Sequence, residues 1–155
     1  MAVRFENPPD DVIRDLFLKY KNIAVVGFSK NRNKPAHKVP RFFIGKRYNI
    51  IPVNPTTDKI LGRKSYPNVS SIPDPVDWVD VFRPPEAIPE VVEDVLRRLD
   101  ERGDVKVFWL QEGIRNDEAV APLVERGLIV VQDRCMWKEY MRLIEGVDPD
   151  KVELK

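Results

Sequence analysis

The chain is poor in the residues on which metal and disulfide chemistry depend. It has one cysteine, Cys135, and one histidine, His37, in 155 residues. One cysteine excludes an intramolecular disulfide and any multi-cysteine metal cluster, and one histidine excludes a His-pair zinc site. Long apolar runs are also missing: no stretch reaches the roughly 18 residues that read as a membrane span. The first residues, MAVRFENPPDD, carry acids where a signal peptide needs an apolar core. A soluble cytoplasmic protein is expected, without membrane attachment. A surplus of charge is equally absent. Twenty-six basic residues against 25 acidic ones leave +1, so nothing draws the whole molecule toward nucleic acid, and any anion preference must be local.

What is present is an alternation of short apolar runs with amphipathic segments. Strands are expected at Ile23–Val26, Asn49–Val53, Trp78–Phe82, Val105–Leu110 and Leu128–Val131. A first helix carries Val12, Ile13, Leu16 and Phe17, with Asp10 or Asp11 as its cap. A second runs from Ala36 to Lys46, where Pro40 is awkward because it cannot bond back to Ala36. A long third helix presents Ile88, Val91, Val92, Val95, Leu96 and Leu99 and stops at Gly103. Later helices span Asp117 to Arg126 and Met136 to Ile144, and the tail GVDPDKVELK reads as loose. Residues 56–76 read as irregular, with room for a small extra strand. Five strands separated by helices predict an α/β Rossmann-like fold: a doubly wound, parallel five-stranded sheet in three layers. It forms one domain over residues 1–155, with a core of about 15–145.

Ligands of such sheets lie beyond the carboxyl ends of the strands, where strand order reverses. The first strand delivers Gly27-Phe28-Ser29 and a basic loop with Lys30, Arg32 and Lys34. A helix N-terminus with a nearby hydroxyl and cations suits phosphate. The full G-x-G-x-x-G fingerprint is absent, since Ser29 stands where a second glycine would be. The second strand ends in Asn54-Pro55 rather than the acid that holds a ribose diol in NAD sites. The third delivers Phe82-Arg83-Pro84, and the fourth delivers Trp109-Leu110-Gln111-Glu112-Gly113.

These motifs resemble the CoA-binding domain family, Rossmann-like modules similar to the N-terminal domain of the succinyl-CoA synthetase alpha subunit. The likeness lies in Gly27-Phe28-Ser29 followed by Lys34-Pro35, in Pro52-Val53-Asn54-Pro55, in Val81-Phe82-Arg83-Pro84, and in Trp109-Leu110-Gln111-Glu112-Gly113-Ile114, each at an expected strand end. It covers about residues 15 to 145. The resemblance implies that Ser29, Lys34 and the backbone after Gly27 hold CoA phosphate. It implies that Asn54 and Pro55 line the nucleotide edge, that Phe82, Arg83 and Pro84 flank the adenosine, and that Gln111 and Glu112 meet the pantetheine side. Lys30 replaces a glycine of the synthetase, which bears on where the pyrophosphate sits. Coenzyme A, free or acylated, is the expected cofactor, and no catalysis of the protein's own is expected.

The charges agree with that implication, because CoA carries a 3′-phosphate and no free ribose diol. Two other readings stay open. An NADP-dependent oxidoreductase would place Arg32 or Lys59 on a 2′-phosphate. A CoA-ligase-like accessory subunit or homo-oligomer would dock through the aromatic face of Cys135–Met141. His37 and Cys135 are the candidate reactive groups: His37 sits beside the basic loop, and Cys135, near the ligand edge after the fifth strand, is either a buried structural residue or a partner for the CoA thiol in a mixed disulfide.

Overall fold

The computed structural model describes residues 5–155; residues 1–4 of the expected domain lie outside the described residues. Among the described residues seven strands form in chain order: β1 (Asn22–Val26), β2 (Asn49–Val53), β3 (Lys59–Ile60), β4 (Arg63–Lys64), β5 (Trp78–Val81), β6 (Val107–Leu110) and β7 (Ile129–Val131). Five of them make one parallel sheet in the order β2-β1-β5-β6-β7, so strand order reverses between β1 and β5. The small pair β3-β4 is antiparallel and lies in the stretch read as irregular. The helices are α1 (Asp10–Lys19), α2 (Pro35–Gly45), α3 (Ile88–Glu101), α4 (Asp117–Glu125) and α5 (Met136–Tyr140).

Alternation along the strands sorts the core into two faces. Ala24, Val26, Val79 and Val81 pack with α3 and α4. Ile23, Val25, Trp78 and Trp109 pack with α1, α2 and α5. The second face is aromatic: Phe17 lies 5.2 Å from Trp78 and 5.4 Å from Tyr140, centroid to centroid. Such pairs add about 0.5–1.5 kcal/mol each beyond their buried area. Three layers follow, as the sequence implies.

Three local expectations need correction. Asp10 and Asp11 do not cap α1; Pro9 occupies that position without a side-chain cap. Asp10 instead pairs with Arg142 at 2.7 and 2.9 Å, which ties α1 to the C-terminal helix. That last helix widens to a π-helical turn over Met141–Glu145 and stops at Gly146. The tail is not loose: Leu154 packs on the aromatic face, and the Lys155 carbonyl accepts from Arg41 at 2.6 Å. Finally, Met136, Trp137 and Tyr140 are buried in this domain, so the aromatic side of Cys135–Met141 packs inward rather than forming a docking face.

A buried arginine organises the chain that leads into β5. Arg98 is 0 % exposed, and all five of its N–H donors are used. They reach the carbonyls of Val69, Ile72 and Asp74 and both oxygens of Asp104, at 2.7–3.0 Å. Asp104 also accepts from the Val76 N–H. Replacing Arg98 with Met leaves three carbonyls and a carboxylate without their donor. Such a loss costs about 3–5 kcal/mol, and urea unfolding of the Arg98→Met variant is expected to show it as a lowered midpoint.

Candidate functional site

A cleft of about 1280 Å³ opens at the carboxyl ends of the strands, over the point where strand order reverses. Gly27 marks its floor. Its φ of +85° favours glycine, and a Cβ there would stand 2.6 Å from the Phe82 carbonyl oxygen. Only a residue without a side chain lets the ends of β1 and β5 approach this closely. The Arg83 side chain lies beside the same spot, 3.5 Å from where that Cβ would be.

Ser29 is tied into this turn from three sides, and Pro40 is the reason for one of them. Pro40 lies inside α2 and has no N–H to give the Ala36 carbonyl. The Ser29 backbone N–H takes that carbonyl instead, at 3.0 Å. The Ser29 carbonyl accepts from His37 Nδ1 at 2.7 Å, and its hydroxyl oxygen accepts from the Asn31 N–H at 3.0 Å. Ser29 therefore offers a ligand its hydroxyl proton but not its backbone N–H. His37 is buried edge-on to Phe28 and does not line the cleft.

Asn54 closes the neighbouring corner. Its Nδ2 donates to the Phe28 carbonyl at 2.9 Å, and its Oδ1 accepts from Thr56 N–H and hydroxyl at 2.9 and 2.7 Å. It thus fixes the end of β2 against the Gly27 turn while forming part of the cleft wall. Pro55 follows it on the same wall.

Among the described residues, Lys34, Arg83 and Arg97 line the cleft and have no ion-pair partner. Of the carboxylates on its wall, Glu112 pairs with Lys138 at 3.0 Å and Asp94 accepts from the N–H groups of Val69 and Ser70, while Glu90 and Glu93 stand on the α3 flank with Arg97. Lys30 and Arg32, expected to add charge, do not line the cleft, and neither does Lys59.

At the far end the polar groups form an internal chain. Gln111 Nε2 donates to Asp80 Oδ1 at 2.6 Å, and its Oε1 accepts from the Met136 N–H at 3.3 Å. Burial pushes the Asp80 carboxyl up to about 7, with Gln111 and the Val81 N–H acting the other way. This chain seats the Gln111-Glu112 loop against the turn that holds Cys135. The thiol is half-buried, lines the cleft, and is lifted above its ordinary value of 9.0 first by burial.

The cleft gathers Gly27, Ser29, Lys34 and Pro35 with Asn54 and Pro55, then Phe82, Arg83 and Pro84, then Gln111 and Glu112. Three expected residues do not line it. Phe28 and Trp109 are 0 % exposed, and the Trp109 indole donates to the Arg134 carbonyl. Gly113 serves the turn, with φ +85° and its N–H on Asp133. Sequence reasoning missed Arg97, which shares a flank of α3 with Glu90, Glu93 and Asp94 beside the apolar stripe. No group of three or more metal-ligating side chains, and no helix long and apolar enough to cross a membrane, occurs among the described residues.

The chain is similar to known proteins over most of its length. A family model described as a CoA binding domain matches residues 21–141. The Bacillus subtilis protein YneT is 39 % identical over 131 residues, 84 % of this chain and 93 % of that one. A solved Pyrococcus horikoshii structure superposes with a TM-score of 0.82 at 36 % identity, covering 92 % of this chain and 99 % of that one. The ADP-forming acetate–CoA ligase II of Archaeoglobus fulgidus is 38 % identical over 91 residues, 56 % of this chain but only 13 % of the ligase.

Asp80 gives the site a pH signature. Its folded value of about 7 lies above its ordinary 3.8, so the native state holds the proton more tightly than the unfolded chain. Stability from this group is therefore full at low pH and falls as pH rises from near 4 to near 7. The displacement corresponds to roughly 4 kcal/mol. Unfolding midpoints measured across that window are expected to fall in the native protein and to lose most of that slope in Asp80→Asn.

Proposed function

Because this chain belongs to the family of CoA-binding domains, we propose that its cleft holds coenzyme A, free or acylated, as a binding module without catalysis of its own. The observation that carries the reading is the pair of unpaired cations Lys34 and Arg83 at the cleft end formed by the Gly27 turn, with Arg97 on the α3 wall of the same cleft. Coenzyme A brings three phosphate groups, and its ribose 3′-position is esterified. The β2 end suits such a ribose, because it supplies Asn54 where a free diol would want a carboxylate.

In this reading the diphosphate sits over Gly27, with the Ser29 hydroxyl, Lys34 and Arg83 around it. The adenosine lies between Asn54-Pro55 and Phe82-Arg83-Pro84. The pantetheine arm crosses the ends of β5 and β6 toward Gln111 and Glu112. Likeness to a segment of an acetate–CoA ligase supports the ligand but not the ligation, since this chain matches 13 % of that enzyme. The absence of catalysis is supported by where the reactive groups sit. His37 is turned to the Ser29 carbonyl, Asp80 is sealed beneath Gln111, and the Cys135 thiol is held above its ordinary value by burial. The NADP alternative has little to use, because Arg32 and Lys59 do not line the cleft.

The test is calorimetric titration with CoA, acetyl-CoA, 3′-dephospho-CoA and NADP, alongside melting temperatures. CoA is expected to bind and raise the melting temperature, with loss of the 3′-phosphate weakening it. Lys34 and Arg83 are solvent-exposed, so each contact with phosphate is discounted to about 1 kcal/mol. The Lys34→Ala, Arg83→Ala double variant is then expected to bind CoA about 30-fold more weakly. A melting temperature unmoved by saturating CoA, or tighter binding of NADP, overturns the reading.

A further inference from the structure

The one cysteine of the chain lies in the cleft proposed to hold a thiol-bearing ligand, at the end away from the phosphate turn. Its place is fixed by backbone bonds on both sides. The Arg134 N–H reaches the Leu110 carbonyl at 3.3 Å and the Met136 N–H reaches Gln111 Oε1, so Cys135 is held beside the end of β6. From the Gly27 turn on β1 to β6 is two strand spacings, and to β7 three, a span of about 10–14 Å. The skeleton from the CoA diphosphate to its sulfur has as many bonds as about four residues of backbone, which extend to roughly 14 Å. With the diphosphate on Gly27, the ligand's sulfur reaches Cys135.

A second group at this end lacks a partner. Trp137 is 5 % exposed and walls the cleft beside Cys135. Its indole N–H, a donor only, is buried without an acceptor among the described residues. An unmet buried donor of this kind is costly, and a ligand carbonyl brought against the Trp137 wall of the cleft would relieve that cost. The pantetheine arm carries two amide carbonyls on the way to its sulfur.

We propose that Cys135 is a covalent docking point for the ligand's thiol, joined to it as a mixed disulfide by exchange with a disulfide form of coenzyme A. The inference rests on the CoA reading above and extends it from reversible to covalent capture. In the exchange, Cys135 gives its proton to solvent and the thiolate attacks one sulfur of CoA disulfide. The Cys135–CoA S–S bond forms as the original S–S bond breaks, and the departing CoA thiolate takes a proton from solvent. No external oxidant is needed, because the CoA disulfide is itself reduced to one free thiol. Around the cysteine the charged groups are Asp80 and Glu112, which disfavour the thiolate, and Lys138, which is paired with Glu112. The thiol is thus a weak nucleophile toward disulfides at large, and reaction depends on a ligand that the cleft holds in place.

The experiment incubates reductant-free full-length protein with CoA disulfide and, in a parallel arm, with cystamine, and follows intact mass. A third arm measures the melting temperature with reduced CoA. Because the chain has a single cysteine, any disulfide adduct is at Cys135. The expected result is one CoA adduct, removed by dithiothreitol, formed at least about 10-fold faster than the cystamine adduct. Its rate rises from neutral to alkaline pH and is slowed by reduced CoA. If reduced CoA raises the melting temperature but CoA disulfide gives no adduct, or reacts no faster than cystamine, covalent capture is wrong and the CoA site stands. If reduced CoA has no effect and no adduct forms, both are wrong.

Discussion

The site depends on one close approach, the passage of the Phe82 carbonyl across Gly27. A Cβ at position 27 would be 2.6 Å from that oxygen, far inside contact distance, so the two strand ends come together only because glycine stands there. The approach lies where strand order reverses, which is where helices leave the sheet on opposite sides and a crevice must open. Gly27 thus makes the turn and also brings Arg83, the residue after Phe82, to the rim of the crevice. The positive charge at the floor follows from the backbone packing rather than from a charged loop laid over it.

The same turn shows how a defect in one element is corrected by another. Pro40 would weaken α2 by leaving the Ala36 carbonyl open, and Ser29 fills the gap from outside the helix. The bond locks the turn after β1 to the body of α2, and His37 adds a second bond from the same helix to the Ser29 carbonyl. A phosphate-type turn usually offers its N–H groups to the ligand. Here one of them is already used, so in the proposed reading side-chain cations and a hydroxyl carry more of the anion recognition. The loss of the glycine-rich fingerprint and the gain of Lys34 and Arg83 are two sides of one arrangement.

Much of this was legible in the sequence. Five parallel strands and three layers follow from short apolar runs set between amphipathic helices, because that pattern has few ways to bury itself. Most of the strand-end motifs do meet in one cleft, since strand ends of a parallel sheet all face the same way. What could not be read is which polar atoms face outward. Trp109 and Gln111 are neighbours in the sequence, yet the indole is 0 % exposed beneath the Arg134 carbonyl while Gln111 bridges Asp80 and Met136 at the cleft's edge. Arg97 and Arg98 differ by one position on α3, and one lines the cleft while the other is sealed on three carbonyls. A helix turns about 100° per residue, so chemistry that looks equal in the sequence divides between core and site. Asp10 and the C-terminal tail escaped for another reason. Their partners, Arg142 and Arg41, lie 132 and 114 residues away in the chain.

Those divisions explain why the polar residues best suited to chemistry are not the ones facing the ligand. His37 and Asp80 each satisfy a group that burial would otherwise leave bare, and an unmet buried polar group costs about 1–3 kcal/mol. The structural demand is met first because it is constant, whereas a ligand is present only part of the time. What remains in the cleft is what the fold does not need: exposed cations outside any ion pair, a hydroxyl proton on Ser29, one thiol and one indole N–H. That remainder is divided along the cleft, with Lys34 and Arg83 near the Gly27 turn and the thiol and indole beside the Glu112–Lys138 pair at the other end. Under the proposed reading, a ligand with an anionic head and a long neutral arm suits that order better than a compact nucleotide.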